Sequence, residues 1–74
     1  MIFEKIKELA EDYLPGEEIT MDFNFRDSNL DSIDFVDIIM SLEDEYGIEM
    51  PGEMDEINTV ADLVKLVQDL IDQN

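Results

Sequence analysis

Asp31-Ser32-Ile33-Asp34-Phe35-Val36-Asp37-Ile38-Ile39-Met40-Ser41-Leu42-Glu43-Asp44-Glu45-Tyr46-Gly47 is the stretch on which the fold turns. Ile33, Val36, Ile39, Met40, Leu42 and Tyr46 fall at helical spacing, so the segment from Ser32 reads as an amphipathic helix with an apolar stripe. Asp31 carries the short acceptor side chain that suits a helix N-cap, and Asp34, three residues on, makes a shortened capping box. Gly47 is the predicted stop, because a helix commonly ends on a residue in the left-handed region, where glycine is at ease.

Outward from this helix the pattern repeats on both sides. Upstream, Ile2, Phe3, Ile6, Leu9, Ala10 and Tyr13 make a first amphipathic helix, which Pro15 and Gly16 should end. Residues 17–30 hold no sustained period. Their alternation through Ile19, Met21, Phe23 and Phe25 has the look of a strand but finds no partner strand, so a long loop pinned by its aromatic residues is expected. A loop of that length in a small domain hints at function. Downstream, residues 48–52 read as a turn, and residues 53–57 as a short helical turn carrying Met54 and Ile57. Thr59-Val60-Ala61-Asp62 is a second capping box, opening a last helix with Val60, Leu63, Val64, Val67, Leu70 and Ile71 on one side. The expectation is an all-α fold: one domain over residues 1–74, a small bundle of three main helices plus one short helix. Helices of this length are marginal alone, so the stripes must be buried against one another.

Composition narrows the function. The chain has 74 residues, no Cys and no His. That removes disulfides, thiolate chemistry, zinc-finger ligation and the commonest general base. Against 4 Lys plus Arg stand 21 Asp plus Glu, a formal net charge of -17. Between Arg26 and Lys65 there are twelve acidic residues and no basic one. Such a surface repels nucleic acid and anionic membranes and attracts basic patches on other proteins. Disorder is a poor alternative, since 45% of residues are hydrophobic and periodic. No apolar run is long enough to span a bilayer, and the N-terminus lacks the apolar core of a signal peptide. A cytoplasmic monomer is expected.

Ser32 stands at the first turn of the central helix, where its hydroxyl can face solvent beside free backbone N–H groups and the positive end of the helix dipole. That setting suits an attached phosphate, although Asp31 and Asp34 would repel one. Taken alone, Ser32 is more simply a helix-start residue, a common place for serine. Its surroundings change the reading. Asp31-Ser32-Ile33-Asp34 resembles the Asp-Ser-Leu-Asp phosphopantetheine attachment motif of acyl carrier proteins. Phe25-Arg26-Asp27 is similar to the stretch leading into that motif. Val36 to Tyr46 resembles the family's second helix, Glu49-Met50-Pro51 its Glu-Ile-Pro, and Ile57-Asn58-Thr59-Val60 its Ile-Thr-Thr-Val. The likeness is strongest to the free-standing fatty-acid type. Leu30-Asp31-Ser32 also resembles D-alanyl carrier proteins. The chain departs from the family pattern at Asn29, Leu30 and Phe35.

The resemblance implies a carrier rather than an enzyme. A phosphopantetheinyl transferase would move 4′-phosphopantetheine from coenzyme A onto Ser32, and the arm would hold acyl intermediates as thioesters, most simply in fatty-acid biosynthesis. D-alanyl, polyketide or peptidyl carriage is the alternative. A chain without Cys needs such a cofactor to supply sulfur. The family's partner face maps onto Asp31, Ile33, Asp34, Asp37, Met40, Glu43 and Asp44, with basic docking patches of synthases and transferases as partners. Each carboxylate alone is as readily a solvated charge, and Met40 alone is ordinarily core filler. Val36, Ile39, Leu42, Tyr46, Ile57, Leu63 and Val67 are core by default, and in this family such residues also line the space that shelters the acyl chain.

Three other readings compete. Asp27, Asn29 and Asp31 match the first ligand positions of a calcium-binding EF-hand loop, but Ser32 and Ile38 stand where that loop needs Gly and Glu. An unmodified acidic interaction module would share the surface but not depend on Ser32. An enzyme is the poorest fit: no His, Cys or Gly-rich phosphate loop is present, and the bundle leaves little room for a catalytic pocket.

Overall fold

A computed structural model describes residues 2–51 and 56–73. Three helices account for most of them: α1 over Ile2–Tyr13, α2 over Ser32–Tyr46 and α3 over Val60–Gln73. The fold is all-α, as expected. The short helical turn anticipated over residues 53–57, with Met54, falls largely outside the described residues; Ile57 itself lies in no regular secondary structure.

The core sits where the three apolar stripes meet. Ile6 and Ala10 of α1, Ile38, Ile39 and Leu42 of α2, and Val60, Leu63 and Val67 of α3 are buried in one cluster. Ile19, Phe25 and Ile48 join it from the connections. α1 is the element against which both other helices lie most closely. No buried polar or charged residue interrupts this core among the described residues, so its cohesion is apolar burial, about 1.5–3 kcal/mol for each large side chain taken fully out of water.

The stripe of α2 differs from its sequence reading. Ile38, not part of the expected stripe, is fully buried. Val36, expected in the core and as a lining residue of an acyl pocket, is 52% exposed, and Ile33 and Met40 are also exposed. At about 100° per residue, Ile38, Ile39 and Leu42 share one arc, whereas Ile33, Val36 and Met40 share the opposite one. The helix is thus apolar on two sides, and only one of them can face α1.

The connection from Leu14 to Asp31 is a loop without regular structure, as expected, but its alternation does find a partner. Asn24 and Thr59 form an isolated antiparallel bridge. Phe25 N donates to Asn58 O at 2.7 Å, Val60 N to Phe23 O at 2.9 Å and Ala61 N to Met21 O at 3.0 Å. The last two matter because the first N–H groups of any helix have no intrahelical acceptor. Here the loop's carbonyls supply them. The capping box completes the arrangement: Asp62 N donates to Thr59 Oγ1, while Asn58 N and Thr59 N donate to Asp62 Oδ2. The loop is therefore fastened to the start of α3, and its far end delivers the chain to Ser32.

Candidate functional site

Ser32 is the first residue of α2 and is exposed. Asp31 precedes it in extended backbone, φ -71° and ψ 151°, and its Oδ1 accepts from Ile33 N at 2.9 Å. Its carbonyl accepts from Phe35 N at 2.9 Å, which closes the first turn. Asp31 thus shapes the helix start as a cap. The hydroxyl beside it is presented outward on a fixed backbone.

The approach to Ser32 is held by local hydrogen bonds rather than by secondary structure. Asn24 Oδ1 accepts from Arg26 N at 2.8 Å and from Asp27 N at 3.2 Å, a turn built by a side-chain carbonyl. Ser28 Oγ donates to Phe25 O at 2.7 Å and accepts from Leu30 N at 3.2 Å. Arg26 Nε donates to Ile57 O at 3.3 Å, a further tie between the loop and the segment before α3. Beneath these turns, Phe25 is buried and meets Phe23 edge-on at 5.8 Å and Phe35 at 5.2 Å between ring centroids. Phe35 lies one turn into α2. Its ring anchors the helix start to the loop, a role that sequence reasoning missed. The signal available was its bulk, three residues after Ser32 and in aromatic company.

The residues expected on a partner face separate into three groups. Ile33, Asp37, Met40 and Asp44 lie on one exposed arc of α2, and Asp31 stands exposed at its N-terminal end. Val36 adds to this arc, so the apolar strip comprises Ile33, Val36 and Met40, 70%, 52% and 56% exposed. Asp34 is half-buried at one edge. Glu43 is half-buried at the opposite edge, and its Oε2 accepts from Met50 N at 2.9 Å. That bond commits Glu43 to fastening the chain after α2. Tyr13, at the end of α1, reaches the same arc: its hydroxyl donates to Asp37 Oδ2 at 3.4 Å. Burial, then Asp37 itself, holds the Tyr13 phenol above its ordinary range.

The residues expected to line an acyl pocket behave differently. Ile39, Leu42, Leu63 and Val67 are buried together in the core, while Tyr46 and Ile57 pack at its margin. Val36 faces solvent instead and does not belong with them. No group of three or more His, Cys, Asp or Glu side chains placed to hold a metal ion occurs among the described residues. Nor is any described helix long and apolar enough to cross a membrane.

An exposed hydroxyl on a rigid helix start, reached by an ordered loop and flanked by carboxylates and apolar side chains, fits covalent attachment of a long polar arm. Comparison with known proteins agrees: residues 4–67 match a family model described as a phosphopantetheine attachment site. The match begins within α1, takes in the loop and all of α2, and ends within α3.

Proposed function

We propose a specific role for this chain, which belongs to the phosphopantetheine attachment family and so to carriers that hold 4′-phosphopantetheine covalently: it is an acyl carrier protein of fatty-acid biosynthesis, and Ser32 is its attachment residue. The observation that carries the assignment is Ser32 itself, an exposed hydroxyl at the first position of α2 inside the matched span. The fatty-acid pathway rests on the extended likeness of Val36–Tyr46 and Glu49–Pro51 to that type. When bound, the arm supplies the terminal thiol on which an acyl group is carried, a sulfur that a chain without Cys lacks.

The chain's own residues have separate tasks. Asp31 caps α2 and keeps Ser32 in a fixed backbone, accessible to a transferase. Phe25 and Phe35 hold the loop and helix start together. Ile33, Val36, Met40, Asp37 and Asp44 form a surface with apolar and acidic character for a phosphopantetheinyl transferase and for synthases bearing basic patches. Charge of that sign raises the association rate and selects partners more than it adds raw affinity. Ile39, Leu42, Leu63 and Val67 would shelter an acyl chain if α2 and α3 part. Those two helices approach each other less closely than either approaches α1, which favours that route.

The test is intact-protein mass spectrometry after incubation with coenzyme A, magnesium and a broad-specificity phosphopantetheinyl transferase. The parent should gain the mass of one phosphopantetheine, and Ser32→Ala should gain none. A parent left unmodified by several such transferases would argue for an acidic binding module instead. Gain on Ser32→Ala would move the attachment to another residue.

A further inference from the structure

The exposed arc of α2 does not end on α2. Tyr13 closes α1, leaves 38% of its surface in solvent and places its hydroxyl 3.4 Å from Asp37 Oδ2. Asp37 stands on the same arc as Ile33, Val36 and Met40, the apolar strip left without partners by the fold. Asp12 and Asp34 add further negative charge around the phenol. The hydroxyl engages one oxygen of the carboxylate, Oδ2.

We propose that Tyr13 is a positioning residue of the docking surface, holding the Asp37 carboxylate in place for a lysine or arginine on the enzyme that loads the arm and extending the apolar strip with its ring. The inference rests on the docking role assigned to α2 above. Its physical basis is preorganisation. An exposed aspartate samples several rotamers, and ordering it on binding costs affinity. A neutral donor already bonded to one oxygen removes part of that cost without neutralising the charge. Tyrosine suits the place further because it gives rigid, amphipathic contact area with few rotatable bonds. The occupant is fixed by complementarity: the surface combines three exposed apolar side chains with carboxylates in a segment that has no basic residue from Asp27 to Val64. It fits an apolar patch with a basic rim.

The test is a double-mutant cycle on transferase loading, with coenzyme A and magnesium saturating and the carrier chain varied. Tyr13→Phe keeps the ring and removes the hydroxyl. It should raise KM for the carrier by roughly threefold, the scale of one modest hydrogen bond, and leave kcat unchanged. In an Asp37→Asn background the same change should have little further effect, since the hydroxyl would then have no charged carboxylate to hold. Circular dichroism of Tyr13→Phe should match the parent. An unchanged KM in Tyr13→Phe would overturn the inference, as would a full-sized loss that persists in Asp37→Asn. Both outcomes would leave the carrier reading intact. Failure of the parent to be loaded at all would overturn the carrier reading and this inference with it.

Discussion

Asp62 shows how much one side chain does at the start of α3. It accepts from the backbone of Thr59 and Asn58, and Thr59 Oγ1 accepts from its own N–H. The bond from Thr59, then that from Asn58, lowers its carboxyl below the ordinary value of 3.8. The folded state thus binds the carboxylate's proton less readily than the unfolded chain does. The stabilisation is complete above the unfolded value and is lost as pH falls through the lowered folded one. Asp62→Asn should therefore melt below the parent at neutral pH, with the gap narrowing as pH falls below 3.8. Thermal melts of the two proteins across that range give the answer, and a gap independent of pH would mean that the charge on Asp62 is not what stabilises the cap. This box was legible in the sequence, because a reciprocal cap needs only local spacing. Glu43 was not. Its bond to Met50 N depends on where the chain turns after α2, and the resemblance to the family's second helix placed it on the partner face.

At the scale of elements, local signals again succeeded where geometry is local. Gly47 was expected to end α2, and it does so at φ 64°, with its N–H and that of Ile48 both directed to Glu43 O. Nothing lies within 4 Å of where its Cβ would be, so a side chain there meets conformational strain and no clash. Gly47→Ala should cost about 1–2 kcal/mol, the penalty of the left-handed region for an L residue. Gly47→Asn should cost less, because asparagine tolerates that region. Urea unfolding of the three proteins would rank them. Equal stability of the alanine and glycine forms would show that the helix end relaxes to another conformation. The apolar stripe of α2 was read with less success. Ile33, Val36, Ile38, Ile39 and Met40 are close together in sequence and surround the helix, so periodicity finds an amphipathic pattern without fixing which arc packs. α1 settles that, through Ile6 and Ala10, and leaves Val36 outside. The loop's attachment to α3 was hidden for a related reason: a single bridge and a few backbone bonds between residues 21–25 and 58–61 leave no pattern of their own.

Charge acts over the whole molecule. A net charge of -17 is confined to a body with a radius of gyration of 11.4 Å. That radius is close to the screening length of about 10 Å at 0.1 M salt, so carboxylates on different helices repel one another at ordinary ionic strength. Attraction is sparse by comparison. The pair of Lys5 with Glu45, 3.1 Å apart, raises the Lys5 pKa through that hydrogen bond first and its charge second, yet an exposed pair of this kind contributes little. Raising salt from about 0.01 M to about 1 M shortens the screening length from about 30 Å to about 3 Å. It should weaken the many repulsions more than the few attractions, and the melting temperature should rise. The same ions stand between the acidic surface of α2 and a basic partner, so the transferase KM for the carrier should also rise. Stability and docking are thus expected to move in opposite directions under one variable. Thermal melts and loading kinetics across a sodium chloride series measure both. A melting temperature that falls with salt would place attraction above repulsion in the fold, and a flat KM would mean that docking depends on Ile33, Val36 and Met40 rather than on charge.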